Sequence, residues 1–196
     1  TYGKQLLLLF PDFTISVHLM LFGSFTINSD KPGKLTLGFK FKNGNLNFYA
    51  STVKLIDKPV EEVFDFTSEV MNERFDQKKA LWKVKEHPNM DIVDVLIDQS
   101  IFTGVGNKIR AEVLFRKKVH PLSKVKAIPD SKLKEVIDDC VKFSFKMLEW
   151  KREGVMDEKL AIYKRKECPR DKMPVQHQKS GSRTLHFCDK CQVLYE

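Results

Sequence analysis

Asp98-Gln99-Ser100-Ile101-Phe102-Thr103-Gly104-Val105-Gly106-Asn107-Lys108-Ile109-Arg110-Ala111-Glu112-Val113-Leu114 is the stretch on which the reading of this chain turns. Before the glycines, Ile92, Val95, Leu96 and Gln99 recur at helical spacing over residues 91–100; after them, Ile109, Val113 and Leu114 repeat that spacing over 108–118. Two helices joined by a glycine turn are expected. Gly104-x-Gly106 directly ahead of a helix lets backbone amides approach a ligand without Cβ interference, at the positive end of the helix, and phosphate is the natural ligand. Spacing alone is met equally by a helical hairpin whose tight turn needs glycine.

Downstream, apolar periodicity over 131–150 predicts a third helix, with Ser131 as its N-cap behind Pro129-Asp130 and Gly154 as its stop. Residues 163–196 are too rich in charge and turn formers to pack alone. They hold three of the four cysteines: Cys168, and Cys188 and Cys191 in a C-x-x-C knuckle. Thiolates crowded at the end of a basic chain fit a structural zinc better than a disulfide in a reducing compartment. The fourth donor is open. Asp171 stands at the C-x-x-D position after Cys168, His177 is the more familiar zinc ligand and the slightly preferred one, and His186 is a third candidate. Cys140 lies in an apolar helical stretch and reads as a core thiol.

Upstream, the pattern is strand-like from Lys4 to Ile56. Apolar runs at 6–10, 13–21, 34–41 and 46–50 are separated by Pro11-Asp12, residues 28–33 and Asn43-Gly44, the last suited to a type I′ hairpin. After Asp57-Lys58-Pro59 the period becomes helical. The fold class expected is α+β: an antiparallel β-sandwich half over residues 1–60, a helical half over 61–160, and a hairpin zinc finger over 161–196.

The net charge of +8 and sequence pI of about 9.2 favour a polyanionic partner. No apolar run approaches the roughly 18 residues of a membrane span, and the run at 6–10 is too short for a signal peptide. A monomeric intracellular protein located where DNA is, without membrane contact, is expected.

The glycine-turn string, followed by Val119-His120-Pro121, closely resembles the helix-two-turns-helix motif of the Fpg/Nei family of DNA glycosylases. The segment from Cys168 to Cys191-Gln192, with Gln178-Lys179-Ser180-Gly181-Ser182-Arg183-Thr184 between its knuckles, resembles that family's zinc finger. Tyr2-Gly3-Lys4-Gln5-Leu6 and Val17-His18-Leu19-Met20-Leu21-Phe22-Gly23 resemble its sheet region, and the latter string points to the Nei-like branch. The glycine-turn unit alone would leave an RNA or ribosomal role open; a finger of this pattern downstream argues against it.

The resemblance implies base-excision repair: removal of oxidised bases from DNA, double- or single-stranded, and cleavage of abasic sites. It implies that Gly104, Gly106 and Asn107 hold a phosphate beside the lesion, with Glu112 structural. Lys4 and Arg183 would bind DNA nearest the chemistry. Leu21 would fill the gap left by an extruded base, with Met20 or Phe22 wedging beside it. The family's nucleophile is an N-terminal proline amine assisted by a neighbouring glutamate. Neither can be assigned in Thr1–Glu196, whose start matches the family pattern after that point. A longer parent chain is the expectation, with a non-catalytic damaged-DNA-binding protein as the alternative.

Overall fold

The computed structural model describes residues 1–196. The chain divides into two compact units, Thr1–Asp65 and Phe66–Glu196.

In the first unit, β1 (Gln5–Leu9), β2 (Thr14–His18), β3 (Ser24–Ile27), β4 (Leu35–Phe41), β5 (Gly44–Tyr49) and β6 (Thr52–Ile56) form two antiparallel sheets, ordered β1-β2-β6 and β3-β5-β4, before the single-turn helix α1 (Val60–Val63). Val17 lies opposite Leu6 on one side and Val53 on the other, an apolar ladder across the first sheet. The run at 13–21, read as one strand, stops at His18. There Met20 takes a φ of 54°, and Gly23 comes so close to Leu19 that a Cβ would fall 1.9 Å from the Leu19 carbonyl oxygen. A hairpin does join β4 to β5, but Phe41 pairs with Gly44, so the loop is Lys42-Asn43, and neither takes the positive φ of a type I′ turn. Gly44 is required for space: its Cβ would lie 2.0 Å from Asn28 Oδ1, which accepts the Asn45 amide at 2.9 Å.

The second unit opens with a 3-10 turn over Phe66–Ser68, and its first α-helix is α2 (Gln77–Lys85), started by Asp76, whose carboxylate accepts the Lys78 and Lys79 amides at 2.9 Å each. The helix read over 91–100 is only the turn α3 (Ile92–Val95). Beyond it Asp98 accepts the Ser100 amide at 2.8 Å, and the Ile101 and Phe102 amides bond back to the Asp98 carbonyl, turning the chain into the glycine segment. α4 (Asn107–Arg116) follows, ending ahead of Lys118 at φ 59°. α5 (Asp130–Arg152) starts behind Pro129 without a side-chain cap, so Ser131 is its second residue and not its N-cap; Gly154, at φ 77°, closes it. After α6 (Met156–Lys159), β7 (Gln176–Ser180) and β8 (Arg183–Phe187) pair as a hairpin.

α4 is buried on two sides. Val113 and Leu114 enter a core with Phe102, Val105, Leu133, Val136, Cys140 and Phe143 that also takes Leu185 and Phe187 of β8. Ala111 and Phe115 join Ile162, Val175, Cys168 and Cys188 in a smaller cluster, so the cysteine segment rests on the helix that begins at the glycine turn. Cys140 is fully buried, and that burial pushes its thiol far up, as expected of a packing thiol. No helix is long and apolar enough to cross a membrane.

Candidate nucleic-acid interface and metal centre

In the glycine turn the two glycines do different work. Gly104 has a φ of 99°, which side-chain-bearing residues rarely adopt, whereas Gly106 is extended at φ −134° and precedes Asn107 as the N-cap of α4. Gln99 braces the turn: its Oε1 accepts the Gly104 amide at 3.1 Å, and its Nε2 donates to the carbonyls of Ile97 at 2.9 Å and Val105 at 3.0 Å. Thr103 anchors it through its amide to the Ser68 carbonyl at 2.8 Å and a hydroxyl pair with Ser68 at 2.8 Å. A braced, glycine-capped N-terminus of a ten-residue helix results, a geometry suited to anions.

Asn107 is held at both ends of its amide. Nδ2 donates to the Thr184 carbonyl of β8 at 3.1 Å, and Oδ1 accepts from Arg110 Nε at 2.9 Å. Thr184 adjoins Arg183, so the glycine turn and the hairpin tip are tied by this contact. Arg110, to which the sequence reading assigns no role, belongs to this network. It is 1% exposed, donates to the Val93 carbonyl at 3.0 Å and lies 3.8 Å from Asp94. Burial, and then the positive Arg183 nearby, lower its pKa from the ordinary value against the opposing pull of Asp94. A cation on a helix face otherwise made of Ile109, Val113 and Leu114 was the available signal. Glu112, equally buried, accepts the amides of Ala161, Ile162 and Tyr163 at 2.8 to 2.9 Å and thereby positions the segment leading to the cysteines.

The first unit carries the other residues singled out. Lys4 is exposed just before β1. Met20, Leu21 and Phe22 are 61%, 84% and 83% exposed at the tip between β2 and β3, three consecutive apolar side chains presented to solvent. His18 Nδ1 accepts the Met20 amide at 3.1 Å, a local bond that holds the tip in its left-handed turn.

Cys168, Asp171, Cys188 and Cys191 converge, with ligand atoms all within 4.8 Å of one another. Asp171 Oδ2 is 3.0 Å from Cys191 Sγ and 3.2 Å from Cys188 Sγ, and Cys168 and Cys191 sulfurs are 3.6 Å apart. Cys191's thiol is pushed up to about 12 by burial and the Asp171 carboxylate, while Asp171 itself is held well below the usual carboxylate range by the Cys191 thiol and the Met173 amide. Three sulfurs and one oxygen at these separations fit a tetrahedral ion with bonds of about 2.3 Å to sulfur and 2.0–2.2 Å to oxygen. His177, the preferred fourth donor on sequence grounds, is not in this cluster. The hairpin register sets it opposite His186, and their Nδ1 atoms lie 2.8 Å apart. Asp171 takes the fourth place because Cys168-Pro169-Arg170-Asp171 turns back over the sulfurs, Lys172 donating its amide to the Cys168 carbonyl at 3.0 Å. Gln192 locks the second knuckle, accepting the Cys188 amide at 2.8 Å and donating to the Val119 carbonyl at 2.7 Å.

Residues 66–158 match the family model described as the formamidopyrimidine-DNA glycosylase H2TH domain. Among curated proteins, the chain is 27% identical to mouse Endonuclease 8-like 3 across 98% of its own length and 34% of that protein's. It is 30% identical to mouse Endonuclease 8-like 2 across 79% of its length and 49% of that protein's. It thus spans about a third to a half of these relatives. Among solved structures, Lactococcus lactis formamidopyrimidine-DNA glycosylase bound non-covalently to abasic-site DNA aligns with a TM-score of 0.85 and 25% identity, over 97% of this chain and 78% of that one. A viral DNA glycosylase shares the fold with a TM-score of 0.80 at 24% identity, over 98% of this chain and 83% of that one.

Proposed function

Given that the chain belongs to the Fpg/Nei family, in its endonuclease 8-like branch, we propose that it is the damaged-DNA-binding part of a base-excision-repair glycosylase and abasic-site lyase acting on oxidised bases. The observation that carries the reading is the bond from Asn107 to Thr184, which makes one continuous element of the glycine turn and the hairpin bearing Arg183.

In this reading the amides at the start of α4, with Asn107, take one backbone phosphate, and Arg183 grips a neighbouring one. Lys4 and the Met20-Leu21-Phe22 tip act from the strand unit, the tip filling the gap when a base leaves the stack. Extrusion costs a few kcal/mol, and an apolar filler recovers part of it. The strand unit is a β-sandwich and the segment from 161 a zinc finger, held by Cys168, Asp171, Cys188 and Cys191. Zinc there supplies folding energy to the hairpin. The protein acts as a monomer inside the cell on double- or single-stranded DNA. No residue of Thr1–Glu196 is assigned as nucleophile.

Binding of duplex DNA with an abasic analogue, followed by fluorescence anisotropy against salt, tests this. Charge removal in Lys4→Ala or Arg183→Ala should each reduce the logarithmic salt slope by about 0.9. Asn107→Ala should weaken binding with an unchanged slope, since a neutral amide releases no counterion. Loss of neither affinity nor slope in all three variants overturns the interface. Borohydride trapping on abasic DNA tests the chemistry separately: no covalent adduct is expected from Thr1–Glu196, and an adduct would place a nucleophilic amine within it.

A further inference from the structure

We propose that the outer face of α2 is a second DNA-binding surface, on which an unpaired base of the bound strand stacks against Trp82. α2 buries Ala80 and Val84 in the core and turns Trp82 outward, 61% exposed. The largest apolar side chain of the helix is thus on its solvent side, where packing gives no reason for it. Helical spacing puts Lys78, Lys79 and Lys85 on the turns directly before and after the indole. Gln77–Lys85 contains four lysines and no acidic residue. Lys85 pairs with Asp130 at 2.8 Å, Lys79 donates to the Thr67 hydroxyl at 2.8 Å, Glu86 stands at the C-cap, and Asp76 accepts the Lys78 and Lys79 amides through Oδ1.

Two features select nucleic acid as the occupant. An exposed aromatic ring on a helix whose neighbouring turns carry lysines is complementary to a base joined to phosphates, and such stacking tolerates any base because every base has a π face. The patch is also continuous with the proposed phosphate site: Lys83 Nζ donates to the Ser100 carbonyl at 2.6 Å, and Ser100 leads through Ile101–Thr103 into the Gly104–Gly106 turn. A strand gripped at that turn has its neighbouring nucleotides within reach of α2. The base must be unpaired, because a duplex keeps its π faces against one another. This inference rests on the DNA-binding reading above and extends it to single-stranded segments flanking the site.

The chain's two tryptophans make the test direct. Trp150 packs edge-on to Phe143 with ring centroids 5.8 Å apart, so Trp150→Phe leaves Trp82 as sole reporter at little structural cost. Titration of this variant with oligodeoxythymidine is expected to quench Trp82 emission saturably and salt-dependently, and a fully paired duplex of the same length to quench it far less. In the wild-type background Trp82→Ala should weaken oligodeoxythymidine binding about tenfold, the equivalent of roughly 1.4 kcal/mol within the range of one base–aromatic stack. Trp82→Phe should restore most of the affinity and Trp82→Leu should not, with circular dichroism unchanged in all three. Quenching by polyglutamate but not by oligodeoxythymidine would assign the face to an acidic protein segment and overturn the proposal. Abasic-duplex binding by the wild-type chain, measured in parallel, separates the two readings. Binding there without any Trp82 response removes this surface alone, and no binding to either DNA removes both.

Discussion

In the strand unit, Leu7, Val17, Phe48 and Tyr49 are buried, while Leu9, Phe25, Ile27, Leu35, Phe41 and Leu55 remain at least half exposed; in the helical unit Val95, Leu96, Phe102, Val105, Val113 and Cys140 are almost completely sealed. The strand unit also leaves an apolar groove of about 480 Å³ along Leu6, Val17, Phe25, Ile27, Leu46 and Phe48. Backbone ladders define the one and side-chain packing the other. The difference teaches that stability is unevenly distributed: the unit with the closed core holds the glycine turn and the hairpin rigidly, and the thin unit presents the apolar tip.

The largest effect expected is from metal removal. One zinc per chain should be found by elemental analysis, and chelation should cost on the order of 10 kcal/mol of local folding free energy. Hydrogen exchange over 163–196 should then rise sharply while residues 107–116 stay protected; a hairpin that keeps its protection would mean that the helical core alone holds it. Next, Phe102→Ala should destabilise the helical unit by about 3–5 kcal/mol in denaturant unfolding, because a fully buried ring leaves a cavity. Glu112→Ala should cost about 3 kcal/mol, since three amides lose a charged acceptor together.

A smaller effect comes from pH. Burial lowers the pKa of His120 below its ordinary value, against the pull of Asp189. With a lowered folded pKa, the unfolded chain binds the proton more readily below about pH 6.5, so stability falls as pH drops under that value, by at most about 1.4 kcal/mol per unit. Above it both states are neutral and the term vanishes. His120→Gln should flatten that part of the curve, and an unchanged slope would remove the histidine from the account. Smallest of all, Phe25→Ala in the strand unit should shift stability by less than about 1 kcal/mol; a loss as large as that of Phe102→Ala would break the comparison itself.

Much of the site's outline was legible in short spacings. Gly104-x-Gly106 ahead of an apolar helical period implied the turn, and a C-x-x-C knuckle with an upstream cysteine implied the cluster. The helix expected over 91–100 shortens to Ile92–Val95 because periodicity is blind to the local competition of the Asp98 side chain for the Ser100 amide. Ligand chemistry favours His177 over Asp171 but says nothing about register: pairing with His186 leaves His177 outside the cluster of sulfurs. Arg110 and Trp82 left only faint traces, a charge on an apolar face and an aromatic residue among lysines, since burial and exposure follow from packing.

By itself, the sequence determined the alternation of strand and helix periods, the glycine turn, the cysteine spacing and the family to which these belong, all of them local patterns read over a few residues. Tertiary structure alone decided that Asn107 meets Thr184, that Glu112 gathers the amides of 161–163, that Asp171 completes the cysteine cluster and that Trp82 faces outward. The physical reason is distance along the chain. Asn107 and Thr184 are 77 residues apart, and a contact of that span is set by how whole elements pack and what each buried amide can find as a partner, which no local period encodes.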